Sequence, residues 1–359
     1  MSDPGAVRGL ILAGGRGTRL RPITFTSAKQ LVPVANKPIL FYGLEALVAS
    51  GVREIGIVVG DTAPEIREAV GDGSRWGARV TYIPQEAPLG LAHAVLTAEP
   101  FLGTAPFVVY LGDNLIREPL APLVSRFRAE APAAQILLAR VPNPREFGVA
   151  VLEGGRVVRL VEKPSEPPSD LALVGIYMFD HHVFEAARAL RPSWRNELEI
   201  TDAIQGLIER GHTVRPHVIE GWWKDTGKLE DLLEANRILL DAIETSIDGT
   251  LEAAELAGRV VVEPGARIVR SAIRGPAIIG RGALLEDAYV GPYTSVGPGA
   301  TIRNSEVENS IILEGSSILD IGARLEASLL GRNTSVFRSA RKPRAYALML
   351  GDRSQVGLV

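Results

Sequence analysis

The chain has 359 residues, 46% hydrophobic and 23% charged, with 39 basic against 42 acidic side chains and a net charge of -3. That length and apolar content leave room for two cores, the charge balance excludes a nucleic-acid-binding field, and the lack of cysteine excludes disulfides and thiolate chemistry. No run approaches the roughly 18 apolar residues of a membrane span, and MSDPGAVRGLILAGG is too short in apolar residues for a signal peptide, so a cytoplasmic chain without membrane or nucleic-acid partners is expected.

VRGLILAGG reads as a buried strand that breaks into Gly14-Gly15-x-Gly17-Thr18-Arg19. KPILFYGLEALVASG then reads as a helix, with Pro38 near its start and a stop at Gly51. EIGIVVG (54–60), RVTYIPQ (79–85) and PFVVYLGDN (106–114) read as further buried strands. Between them, TAPEIREAVG is a helix with Thr62 as N-cap and Gly71 at its end, and LGLAHAVLTAEP is a helix that stops before Pro100. Apolar strands alternating with helices predict an α/β, Rossmann-like domain with a mostly parallel sheet covered on both faces. Ligands of such sheets bind beyond the carboxyl ends of the strands, where the glycine loop, Gln85 and Asp113 all fall.

After about Asp248 the period changes. Aliphatics recur every six residues at Ile278, Leu284, Val290, Val296 and Ile302. The frame runs back through Ile273, Ile268 and Val262 and forward to Leu330 and Val336, with an irregular step near Leu325. This is the pattern of a left-handed parallel β-helix, whose stacked coils share one core. The expected domains are 1–241 and 242–359.

Glycines followed by an arginine suit an anion, because backbone N–H groups close around it and the guanidinium fork matches phosphate oxygens. Two common phosphate loops do not fit. A Walker loop would need Gly-Lys where Arg19 and Leu20 stand, and a dinucleotide fingerprint would need glycine at Leu20.

The set of words is more specific than the loop. Leu12 to Arg19, Pro22, Thr24 and Lys29-Gln30-Leu31 are followed in order by QEAPLGLAHA (85–94), YLGDN (110–114), EFGVA (146–150) and VEKPSEP (161–167). VGIYMF (174–179), ELEITD (197–202) and GWWKDTG (221–227) complete the set. From Gly9 to Leu240 the chain resembles the sugar-1-phosphate nucleotidylyltransferases, and within them the glucose-1-phosphate thymidylyltransferases. Ala28 stands where many members have serine. The β-helix tail resembles the longer members.

The resemblance implies that dTTP and glucose 1-phosphate are converted to dTDP-glucose and pyrophosphate by in-line attack at the α-phosphorus. It implies that Gly14, Gly15, Gly17 and Thr18 wrap the triphosphate, with Leu12 and Gln30 also on the nucleotide, and that Arg19 and Lys29 offset its charge. Lys163 would hold the sugar phosphate. Glu162 would accept from sugar hydroxyls, in a pocket with Asn114, Gly148, Leu173, Gly175, Tyr177 and Trp223. Asp113 and Asp225 would ligate Mg²⁺, a hard ion suited to carboxylate and phosphate oxygens. Gln85 and Gly90 would read the base.

An amide fits thymine and uracil equally, so a UTP-dependent sugar-1-phosphate uridylyltransferase, making UDP-glucose or UDP-N-acetylglucosamine, is the alternative. A second, acyl-transfer activity in the tail would need a histidine base, and no histidine follows His217. The five histidines show no metal-ligand spacing and read as structural or solvated. A homo-oligomer, trimeric or tetrameric, is expected from the family.

Overall fold

The protein is described by a computed structural model covering residues 6–15, 17–25, 27–339, 348 and 353–357. The chain forms two compact units. One comprises Met1–Arg16, Ser27–Leu31 and Ile39–Asp225, and the other Gly17–Thr26, Val32–Pro38 and Thr226–Val359. Among the described residues no helix is long and apolar enough to cross a membrane.

The first unit is built on a nine-stranded sheet. Arg79–Pro84, Glu54–Val59, Arg8–Leu12 and Phe107–Leu111 lie side by side and parallel. Leu171–Phe179 then runs antiparallel to Phe107–Leu111, Ala134–Arg140 and Gly148–Glu153. Val214–Val218 adds in parallel to Ala134–Arg140, and Arg156–Glu162 returns antiparallel on Gly148–Glu153. Following these directions through the sheet, only Leu171–Phe179 and Arg156–Glu162 oppose the other seven strands.

Alternation along each strand explains the two-sided cover. Leu10, Leu12, Phe107 and Val109 face a core shared with Ala92, Val95, Val183 and Ile204 from helices Leu91–Thr97, His182–Arg188 and Ile200–Glu209. Ile11, Ile57, Val108 and Tyr110 face the other core, closed by Leu40, Leu44, Ile66 and Phe127 from helices Ile39–Ala49, Ala63–Val70 and Leu120–Glu130. The expected helix before Pro100 is present. The helix ends at Thr97, and Pro100 lies in the first turn of a separate short piece, Glu99–Leu102, where a missing N–H costs nothing.

The second unit contains three parallel sheets of six, six and five short strands, each coil adding one strand to each sheet. This is the left-handed parallel β-helix expected from the sequence. The inward residues are Val262, Ile268, Ile273, Ile279, Leu285, Val290, Val296, Ile302, Val307, Ile312, Ile318 and Leu330. Two members of the six-residue frame are therefore corrected. Ile279 and Leu285 fill the core, and Ile278 and Leu284 lie outside that cluster. Successive coils advance by 17 residues from Val260 to Ala277 and again to Thr294, so one side of each coil is a residue short of a strict six-step.

Corners fall at left-handed residues. Arg270, Asp287 and Asn304 stack one coil apart with φ between 45° and 48°. Buried serines satisfy the turns: Ser271 Oγ donates to Val269 O and accepts from Ala288 N, at 2.8 and 3.0 Å.

The β-helix is fastened to other parts of its own unit by a polar hub. Asn236, on helix Leu229–Leu240, is fully buried. Its Oδ1 accepts from Ala35 N at 2.8 Å and Ser295 Oγ at 2.7 Å, and its Nδ2 donates to Tyr293 O at 3.0 Å. Asn36 Nδ2 donates to Val296 O at 2.8 Å. Asn236→Leu should therefore orphan several buried groups and cost about 2–4 kcal/mol, against about 1 kcal/mol for Ser295→Ala. Denaturant titration measures both, and an unchanged midpoint for Asn236→Leu would show that these groups find other partners.

Candidate active site

The parallel strands end together, so the residues just past Leu12, Val59, Pro84 and Leu111 gather along one edge. Gly112 N bonds Leu12 O at 3.0 Å, which joins the turn holding Asp113 to the end of the first strand. Lys29 Nζ donates to Asp113 Oδ2, and both side chains are largely buried. Burial alone would raise the Asp113 carboxyl. The Lys29 ammonium, its hydrogen bond and that from Asn114 outweigh burial and hold it below the usual carboxylate range.

Asn114 is buried and engaged at both ends of its amide. Its Nδ2 donates to Asp113 Oδ1 at 3.0 Å, its Oδ1 accepts from Trp223 Nε1 at 2.6 Å, and its carbonyl accepts from Tyr110 OH at 3.1 Å. The indole contact accompanies an antiparallel pair, Asn114–Ile116 with Trp223–Asp225, in which Asp225 is the partner of Asn114. Two carboxylates 112 positions apart in sequence, Asp113 and Asp225, are thereby brought to neighbouring register positions. Both act on the Tyr177 phenol, which burial first, and then Glu162, Asp225 and Asp113, push well up. Only glycine fits at Gly175, since a Cβ would stand 2.6 Å from Asn114 Oδ1.

Glu162 ends the strand Arg156–Glu162. Its Oε2 accepts from Thr201 Oγ1 at 2.6 Å and its Oε1 from Arg195 Nη1 at 3.3 Å. Gly148 lies against this carboxylate: a Cβ there would be 2.7 Å from Thr201 Oγ1, 3.0 Å from Glu162 Oε2 and 3.3 Å from Leu173 Cδ1. Lys163 follows with φ 41° and its N–H on Phe147 O at 3.1 Å, while Phe147 packs edge-on against Trp223.

Gln85 leaves the strand Arg79–Pro84. Its Oε1 lies 3.1 Å from the position a Cβ on Gly14 would take, and its Nε2 lies 2.9 Å from His93 Nδ1. Gly90 caps the helix bearing His93 at φ 106°, in contact with the Leu198 backbone. Gln30 is buried beside Gly15 and Gly112, and its Oε1 has no hydrogen-bond partner among the described residues.

Gly17, Thr18 and Arg19 fall in the second unit. Gly17, at φ 62°, opens the short turn Thr18–Leu20, and Thr24 Oγ1 donates to its carbonyl at 2.7 Å. Arg353 Nη1 donates to Thr18 O at 3.2 Å. Thr18 and Arg19 are exposed.

Sequence reasoning assigned no role to Arg195, Glu199, Thr201 or His93, although ELEITD and QEAPLGLAHA contain three of them. Arg195 bridges Glu162, Glu197 and Glu199, and Ser193 Oγ supports Glu199 at 2.8 Å. The histidines are also less scattered than their spacing implies. His181, His182 and His212 lie in ring contact, with successive ring centroids 4.2 and 4.3 Å apart and the rings tilted by 31° and 40°, and His217 bonds Glu118 at 2.7 Å.

Residues 8–242 match the family model described as nucleotidyl transferase. A glucose-1-phosphate thymidylyltransferase from Streptomyces griseus is 54% identical over 351 residues, covering 97% of this chain and 99% of the relative. One from Streptomyces antibioticus is 55% identical, with 98% and 99% covered. The crystal structure of a UDP-glucose pyrophosphorylase complexed with UDP-glucose superposes with a TM-score of 0.60 at 27% identity, over 66% of this chain and all of that one.

Burial, opposed by the Thr201 hydrogen bond and reinforced by Glu199, leaves the Glu162 carboxyl raised. Between its unfolded and folded values the unfolded chain therefore binds fewer protons, so the stability this group provides is present below the unfolded value and is lost as pH rises through the folded one. Glu162→Gln should accordingly be more stable than the parent chain at pH 7, with the gap closing as pH falls below the ordinary carboxylate range. Thermal midpoints across pH test this, and a gap that widened on acidification would reverse the sign argued here.

Proposed function

The chain belongs to the nucleotidyl transferase family, and we propose that it transfers a thymidylyl group from dTTP to glucose 1-phosphate, giving dTDP-glucose and pyrophosphate. The observation that carries this reading is the meeting of Asp113 and Asp225 beside Lys29 at the carboxyl edge of the sheet. It occurs in a chain 54% identical, over nearly its whole length, to a relative named for that reaction.

An oxygen of the sugar phosphate bonds to the α-phosphorus as the α–β anhydride bond breaks opposite it, and the electron pair leaves with pyrophosphate. The nucleophile is already anionic near neutral pH, so the protein needs no general base. Its tasks are to bring two polyanions together and to offset charge on the leaving group. Lys163 holds the sugar phosphate, and Arg19 and Lys29 offset the triphosphate. Backbone N–H groups of Gly14, Gly15, Gly17 and Thr18 wrap that triphosphate, with Leu12 and Gln30 also against the nucleotide.

Glu162, kept in place by Thr201 and Arg195, accepts from sugar hydroxyls in a pocket shaped by Asn114, Gly148, Leu173, Gly175, Tyr177 and Trp223. Gln85 and Gly90 read the base. Asp113 and Asp225 are paired hard oxygen donors, a set that fits Mg²⁺ with phosphate oxygens and water. The ion supplies charge neutralisation to the phosphates when bound. In this reading residues 1–241 form the catalytic domain, residues 242–359 form the β-helix domain, and the chain assembles as a homotrimer or homotetramer.

Pyrophosphate release with each dNTP and UTP, against a panel of sugar 1-phosphates, tests the assignment, with dTTP and glucose 1-phosphate expected to give the highest kcat/KM. A preference for UTP would instead make the enzyme a uridylyltransferase.

Asp113→Asn and Asp225→Asn should each lower kcat by about 10²–10³-fold without unfolding the domain. Full turnover by either at limiting Mg²⁺ would remove it from the metal site. Arg19→Ala should act mainly on kcat, whereas Lys163→Ala should also raise KM for glucose 1-phosphate, because that phosphate is charged before reaction. Identical effects of both on nucleotide affinity alone would contradict the division of roles.

A further inference from the structure

Gln85 has a partner that the phosphoryl chemistry does not require. Its Nε2 lies 2.9 Å from Nδ1 of His93, and its Oε1 is turned toward Gly14. His93 stands in the first turn of Leu91–Thr97. That turn is itself held, because Leu198 N donates to Leu89 O at 2.7 Å and Ala92 N donates to Leu198 O at 3.0 Å. Resting on the reading of Gln85 as the base contact, we propose that His93 is a positioning residue for base choice: its Nδ1 accepts from the amide and so fixes which end of the Gln85 side chain donates and which accepts.

A primary amide is nearly symmetric in shape but opposite in hydrogen bonding at its two ends. In one orientation it matches the N3–H donor and O4 acceptor of thymine or uracil. Turned by half a rotation, it matches the N3 acceptor and N4 amino donor of cytosine. A glutamine free to rotate therefore reads both kinds of pyrimidine. Neutral imidazole carries one donor and one acceptor nitrogen. With Nδ1 as acceptor, only the NH₂ end of the amide satisfies it, and one N–H remains beside Oε1 to face the base. The turned amide would set lone pair against lone pair unless the ring moved its proton. Rejection of cytosine is thus imposed one side chain away from the base, and thymine and uracil remain equivalent.

The test compares kcat/KM for dTTP and dCTP, with glucose 1-phosphate as acceptor, in the full chain and three variants. His93→Leu removes the acceptor, His93→Glu offers acceptors alone, and His93→Lys offers donors alone. Both nucleotides carry the same triphosphate and deoxyribose, so a charge introduced at position 93 cancels in the dTTP/dCTP ratio. The ratio should fall at least about tenfold in His93→Leu and further in His93→Lys, and stay within about threefold of the parent in His93→Glu. A ratio unchanged within about threefold in both His93→Leu and His93→Lys overturns the proposal. Gln85→Ala separates this failure from that of the underlying reading. If it collapses the ratio while the His93 variants do not, Gln85 reads the base without help. If it leaves the ratio intact, Gln85 is not the base contact and the proposal falls with it.

Discussion

The ion pair between Lys29 and Asp113 is the contact on which the site is assembled. A carboxylate buried at a strand end would ordinarily take up a proton, and would then hold a cation poorly and accept only weaker hydrogen bonds from its neighbours. With the ammonium against it, Asp113 stays ionised and can accept from the Asn114 amide. That leaves the Asn114 oxygen for the Trp223 indole, and the indole contact accompanies the strand pairing that carries Asp225. Charge, amide orientation and strand register are therefore linked in one chain of contacts. Lys29 contributes by keeping a negative charge in place.

The part of the edge around Glu162 is organised differently. Glu162 is surrounded by Thr201, Arg195 and a second buried acid, Glu199, with Gly148 pressed close enough that no side chain fits there. The carboxylate has fixed partners before any ligand arrives, yet burial and the nearby Glu199 outweigh the Thr201 and Arg195 contacts and leave its protonation raised. Stability is given up locally around this carboxylate, a pattern that recurs at functional sites.

Much of this was legible in the sequence, and the exceptions have physical causes. The alternation of apolar strands and helices placed the parallel strands and the edge where Gln85 and Asp113 emerge, because burial on both faces leaves a strong compositional trace. The β-helix was legible as a period, but the choice between adjacent aliphatics was not. At Ile278-Ile279 and Leu284-Leu285 both residues are apolar, so a strict six-step selected the wrong member while the 17-residue coil selects the other. The partners of Glu162 and Gln85 escaped because nothing in their spacing reveals them. Arg195, Thr201 and His93 reach those groups through tertiary packing, and His212 likewise joins His182 from a different element. Asn236 belongs to none of the sequence motifs, although it is a buried junction.

Coil length in the β-helix is not constant. Register advances by 17 residues from Ala277 to Thr294, by 16 from Ser295 to Ile311, and by 18 from Ile311 to Leu329, yet Ile279, Val296, Ile312 and Leu330 all reach the same core. In an ordinary strand a single inserted residue exchanges the two faces for everything that follows. Here the discrepancy is discharged at the next left-handed corner and the following rung begins afresh. Such a domain tolerates insertions and deletions at its corners as punctuation, so lineages can lengthen or shorten individual coils while the stack above and below keeps its alignment.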